Sequence, residues 1–177
     1  YVILSVFLCI LVGYQLFFTG SKYIKSQCNI IVDPTKYPVY AVHFLKQNGI
    51  NGNVLLPFEW GEYGIWKLYP DCKVSIDGRF RTVYPEEVLK DHFEATGDES
   101  KLWELLEKHP PDIILGRQRL LYQRLISTQD RWIYVYSDPT SIVFIRNNSS
   151  QRDALERLRR KELIYPTKNT PPLVYFP

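Results

Sequence analysis

The chain has 177 residues, 45% of them hydrophobic and 15% aromatic, with 22 basic and 19 acidic side chains and a formal net charge of +3. So even a balance gives no basis for nucleic-acid binding, which concentrates Lys and Arg on one face, and the composition is that of an ordinary folding chain. Residues 1–20 carry no charge at all, so the chain reads as two parts.

The first part, YVILSVFLCILVGYQLFF, departs from apolar or aromatic character only at Ser5, Gly13 and Gln15. At about 1.5 Å per residue a helix of this length covers roughly 27 Å, close to the hydrocarbon thickness of a bilayer. Tyr1, Phe17, Phe18 and Tyr23 fall near the two interfaces, where aromatic rings are favoured. Residues 1–20 are therefore predicted to form a transmembrane helix, since a secretory signal has a charged start and a shorter apolar run. With no methionine present, the expectation is the last span of a longer polytopic protein, followed by a linker over 21–37. Lys22 and Lys25 on their own vote for a cytoplasmic soluble part. Cys28 and Cys72 can pair only if the fold brings them together, and they are expected to be unpaired. With no CxxC and no Cys/His cluster, neither a metal site nor a cofactor site is indicated.

The soluble part is expected to be one domain over 38–150. Pro38 opens a helix, PVYAVHFLKQNG, with Val39, Val42, Phe44 and Leu45 on its apolar side and Asn48-Gly49 as its stop. A strand follows in NVLLPF, then a brief helix in EWGEYGIWKLYP that Pro70 ends, and a second strand in CKVSID. Pro85, Glu86 and Glu87 suit the first turn of another helix, where carboxylates offset the positive end of the dipole. TGDES stops it and caps the next, SKLWELLEKH, whose Leu102, Trp103, Leu105 and Leu106 are expected inward. DIILG is a third, fully apolar strand, and RQRLLYQRLIST is again helical by its stripe of Leu120, Leu121, Leu125 and Ile126. RWIYVYSDPTSIVFIRN reads as a hairpin turning at Asp138-Pro139. Residues 151–165 are predicted to form a basic amphipathic helix, and 166–177 an extended Pro-rich tail.

Strands separated by helices argue an α/β domain with a three-layer, Rossmann-like mixed sheet: three parallel strands plus a C-terminal antiparallel hairpin. The loops after the three parallel strands then carry Glu59-Trp60-Gly61, Asp77-Gly78-Arg79 and Gly116-Arg117 to one carboxyl edge, where open α/β sheets bind ligands. Two accounts of these corners stand side by side. In one, Glu59, Trp60, Tyr63, Asp77 and Arg79 bind a substrate. In the other, Gly61 and Gly78 are turn glycines, Asp77 caps a backbone amide, Trp60 and Trp66 are core, and the charges are plain ion pairs. No phosphate loop, dinucleotide fingerprint or nucleophile elbow is present, and His43, His92 and His109 fall on separate helices without ligand spacing, so no catalytic residue is assigned.

The stretch PFEWGEYGIWKLYPDCKVSIDGRFRTVYP, followed by a tryptophan-bearing helix, PDIIL and RWIYVYSDPTSIVFIR, resembles the C-terminal soluble region of bacterial polytopic membrane proteins akin to the dolichyl-phosphate-mannose protein mannosyltransferase-like, GT-C glycosyltransferases. The resemblance covers about residues 38–146 and the preceding apolar segment. More remotely, Trp60-Gly61-Glu62-Tyr63-Gly64 is similar to the Trp-Trp-Asp-Tyr-Gly element of oligosaccharyltransferase catalytic subunits, departing from it in having one tryptophan and a glycine before the acid. The resemblance implies an extracytoplasmic domain on the bacterial inner membrane, against the vote of Lys22 and Lys25. It implies catalytic acids in membrane loops outside this chain and, as partners, the lipid bilayer and a lipid-linked sugar or glycan acceptor. The alternative of another class is a noncatalytic structural or partner-binding domain of a membrane protein.

Overall fold

A computed structural model describes the backbone of residues 2–27, the side chains of 5–19, and residues 32–117, 125, 128 and 130–166. The chain divides into two compact units, residues 1–32 with 173–177 and residues 33–172.

The first unit is built on helix α1 (Val2–Gln27). It runs past residue 20 into the stretch predicted as linker, and Ser21–Gln27 contains neither proline nor glycine to stop it. Val6, Phe7, Leu8, Ile10, Leu11 and Val12 are all exposed. Among the described residues no helix is long and apolar enough to cross a membrane, so the transmembrane helix predicted over residues 1–20 is not found there.

The second unit is an α/β domain. Its elements are α2 (Val39–Gln47), β1 (Gly52–Leu55), α3 (Gly61–Leu68), β2 (Cys72–Val74), α4 (Glu86–Gly97), α5 (Glu99–Lys108), β3 (Ile113–Arg117), β4 (Trp132–Ser137), β5 (Ser141–Arg146) and α6 (Arg152–Arg159). Five strands form one mixed sheet in the order β2-β1-β3-β5-β4, with β1 parallel to both β2 and β3, and β5 antiparallel to β3 and β4. This is the predicted arrangement of three parallel strands closed by a hairpin. The hairpin turns at Asp138, whose carboxylate accepts from the backbone N–H groups of Thr140 and Ser141, both at 2.8 Å.

Alternation along the strands assigns the two faces. Val54, Val74 and Ile113 are register partners on one face, where α2 and α3 lie: Phe44 of α2 stacks on Tyr136 of β4 at 4.8 Å. Leu55, Ile114 and Phe144 point the other way into a cluster with Leu102, Leu105 and Leu106 of α5 and Ala95 of α4. Asp98 caps α5 as the sequence indicates, accepting from Ser100 N–H at 2.8 Å.

Two boundaries differ from expectation. Strand β2 ends at Val74, short of Asp77: Ser75 N–H still donates to the Val54 carbonyl, after which Ile76 and Asp77 turn inward and are fully buried. The basic helix is only eight residues long. Beyond it Lys161 takes a positive φ of 60° and the chain doubles back, with Leu163 buried and the Asn48 side chain bonded to both the N–H and the carbonyl of Ile164 at 2.8 Å. Asn48, expected only as a helix stop, thus also fastens the end of the domain. Of the helix predicted over 117–128, Arg117 ends β3, Leu125 is helical and fully buried, and Thr128 is described, while its other residues, the tail beyond residue 166 and Cys28 lie outside the described residues. Cys72 is a free, buried thiol, pushed up to about 11 by burial.

Candidate functional site

The three corners do meet along the carboxyl edge, and the contacts between them explain most of their residue choices. Gly61 begins α3 with an ordinary helical φ of −58°. What demands glycine there is a close crossing: a Cβ would lie 2.3 Å from the Ile76 carbonyl oxygen and 2.5 Å from the Asp77 Cα. Gly78 lies in a turn, as the sequence suggested, but is not among the glycines with positive φ. The residue that takes a left-handed conformation in this loop is Phe80, at φ 47°.

Asp77 is fully buried and entirely occupied. Its carboxylate accepts from the Arg79 backbone N–H at 2.9 Å and from the Arg79 guanidinium at 2.8 and 2.7 Å, and the Tyr84 hydroxyl donates to it as well. The bonds from Arg79, against the cost of burial and with help from Tyr84, hold its carboxyl down at about 2. Arg79 itself is 57% exposed on its outer side. Tyr84 was missed in the sequence, where only its place in the Thr-Val-Tyr-Pro run after the Asp-Gly-Arg corner pointed to it.

Trp60 and Tyr63 are 1% and 6% exposed. Trp60 donates from its indole nitrogen to the Lys36 carbonyl at 2.9 Å, and the Arg117 guanidinium sits 5.2 Å from its ring centroid. Tyr63 packs on Tyr37 and Trp66, and burial pushes its hydroxyl well above the usual phenol range. Both rings are therefore core, and neither offers the flat open face expected of a sugar platform. Glu59 pairs with Arg117 at 2.6 Å across the ends of β1 and β3; burial opposes its ionisation, but the Arg117 hydrogen bond prevails and holds it below the usual carboxylate range.

Beneath this ion pair a crevice of about 230 Å³ opens between the ends of β1 and β3, walled by Leu55, Phe58, His92, Phe93 and Leu102. Its position follows from topology: β1 has β2 on one side and β3 on the other, and the point where strand order reverses is where open α/β sheets leave room for a ligand. Phe58, Phe80 and Phe93 form a ring cluster with centroids 5.4 to 6.1 Å apart. His92 is 7% exposed, and burial lowers its imidazole to about 4 despite the charge of Glu59, so it is neutral near pH 7. The sequence placed it only on a helix without ligand spacing; the signal for its burial is its spacing from Leu89 and Ala95, which share its face of α4.

Such a crevice can hold an apolar body and orient it by the ion pair at its mouth. Among the described residues no group of His, Cys, Asp and Glu could hold a metal ion, and no nucleophile is paired with a base. No family model, no curated protein and no solved structure matches the chain.

Proposed function

We propose that this chain is the membrane-tethered, noncatalytic module of a polytopic glycosyltransferase that uses a polyprenyl-phosphate-linked sugar, and that its α/β domain has an acceptor-binding or regulatory role on the extracytoplasmic side of the inner membrane. The finer description as a Rossmann-like domain behind a transmembrane helix belongs to this reading. The observation that carries it is the apolar crevice at the carboxyl ends of β1 and β3, in a domain whose neighbouring unit exposes an apolar helix. The resemblance of the Trp-Gly and Asp-Gly-Arg corners to the soluble regions of such enzymes supplies the chemical class. In this role the crevice takes the apolar part of a lipid-linked ligand, Glu59, Arg117 and the outer side of Arg79 meet hydroxyl or phosphate oxygens, and Trp60, Tyr63 and Asp77 hold that rim in place.

A second reading, a structural or partner-binding domain, is favoured by one fact: the Asp77 carboxylate spends its bonds on Arg79 and Tyr84, inside its own loop. Arg117→Ala in the full-length protein separates the two. Glycosyl transfer that falls about tenfold or more, with the melting temperature of the domain nearly unchanged, supports the ligand-binding role. Unchanged transfer, or loss only in proportion to unfolding, supports the structural one.

A further inference from the structure

Helices α4 and α5 do not cover their face of the sheet evenly. Their apolar side packs on β3, β5 and β4, against Ile114, Ile142, Phe144 and Trp132. On the β1–β2 half the register sets Asn53 beside Lys73 on this same face, with Ser75 two residues further on. These side chains are polar, and they do not fill the height that the bulky cluster imposes on the helices. A second cavity of about 500 Å³ results, bordered by Asn53, Lys73, Ser75, Val88, Lys108 and His109.

Leu55, His92 and Leu105 border both this cavity and the crevice. The two spaces therefore follow one another along β1 beneath the helices, Asn53–Leu55 flooring the first and Leu55–Glu59 the second. Their chemistry differs. The crevice is walled mainly by hydrocarbon, whereas the second cavity has two ammonium groups and two imidazoles, those of His92 and His109, on its border and no carboxylate. Lys108 is already held by Glu87 at 2.6 Å and Asp91 at 2.7 Å. Lys73 makes no ion pair among the described residues, so it is the cation that an incoming anion meets.

We propose that the two cavities form one site for a single-chain anionic amphiphile, its oxyanion head at Lys73 and its hydrocarbon chain running past His92 into the crevice. This rests on the reading of the crevice as a ligand site and does not depend on glycosyl transfer. A neutral His92 suits such a path, because a protonated imidazole beside a hydrocarbon chain would be a buried, unpaired charge.

The test uses the full chain in nanodiscs of zwitterionic lipid and dodecyl phosphate carrying a photoreactive group at the end of its chain, with labelled peptides mapped by mass spectrometry. Labelling is expected at Phe58 and Phe93, to fall about tenfold in Lys73→Glu, to fall as far in Thr96→Trp, which narrows the crevice from its exposed rim, and to resist competition by inorganic phosphate. Melting temperature is followed for both variants, and Thr96→Trp decides should Lys73→Glu fail to fold. Labelling confined to residues 5–19, equal labelling by the uncharged dodecanol analogue, or labelling unaltered in a folded Lys73→Glu would overturn the proposal. None of these results bears on glycosyl transfer, so the two readings fail separately.

Discussion

Asp77 gathers into one buried carboxylate the bonds that shape the loop between β2 and α4. A carboxylate so placed ties stability to pH. Its folded value lies near 2, below the ordinary 3.8, so the folded state holds the proton less tightly than the unfolded chain. The associated stability is complete above about pH 4 and disappears as pH falls through about 2, amounting to about 2 kcal/mol. Asp77→Asn keeps the shape and removes the charge. Urea unfolding at pH 5 is expected to show the variant about 2 kcal/mol less stable, with the gap closing toward pH 2; parallel curves at every pH would show that the charge contributes nothing. The sequence showed the Asp-Gly-Arg corner but not its state. Whether Asp77 faces a ligand or its own loop is decided by its bonds to Arg79 and Tyr84, and bonds within an irregular segment leave no periodic trace.

The crossing of α3 over the segment that leaves β2 is a contact between backbones, and it separates two glycines that look alike in sequence. A methyl group at Gly61 meets main-chain atoms at 2.3 and 2.5 Å, whereas one at Gly78 meets only the carboxylate end of Glu62. Gly61→Ala must move α3 or the loop and is expected to cost about 1–3 kcal/mol. Gly78→Ala displaces a side chain that can swing away and should stay within about 0.5 kcal/mol of the parent. Denaturant midpoints of the two variants check this pair, and equal losses would contradict the crossing. Element order, the parallel strands and the hairpin were legible because each rests on local periodicity and turn chemistry. The seat of α4 and α5 was not legible. It depends on which half of the sheet offers bulk, a property of strands spread from Gly52 to Arg146 that no single segment carries.

At the scale of the whole molecule, the proposed membrane location leaves two segments that could act as its tether, and physical chemistry separates them. Helix α1 exposes apolar side chains at Val6, Phe7, Leu8, Ile10, Leu11 and Val12, so its affinity for lipid would rest on burial of hydrocarbon and be indifferent to salt. Helix α6 and its C-terminal cap have basic side chains exposed at Arg152, Arg159 and Arg160, yet Ala154 and Leu155 of the helix are already buried in the domain. It can offer lipid only charge, which acts on anionic surfaces and weakens within a Debye length of about 8 Å at physiological salt. If α1 is the tether, the chain floats with zwitterionic vesicles at low and high salt alike, and a version beginning at residue 33 stays at the bottom of the gradient. Ile10→Lys places a charge within the apolar stretch at a cost of about 2.5–3.5 kcal/mol were it to sit at mid-bilayer, so the floating fraction should drop sharply. Flotation that requires anionic lipid and disappears in high salt would assign the tether to α6 and remove the membrane-spanning premise from the proposed function.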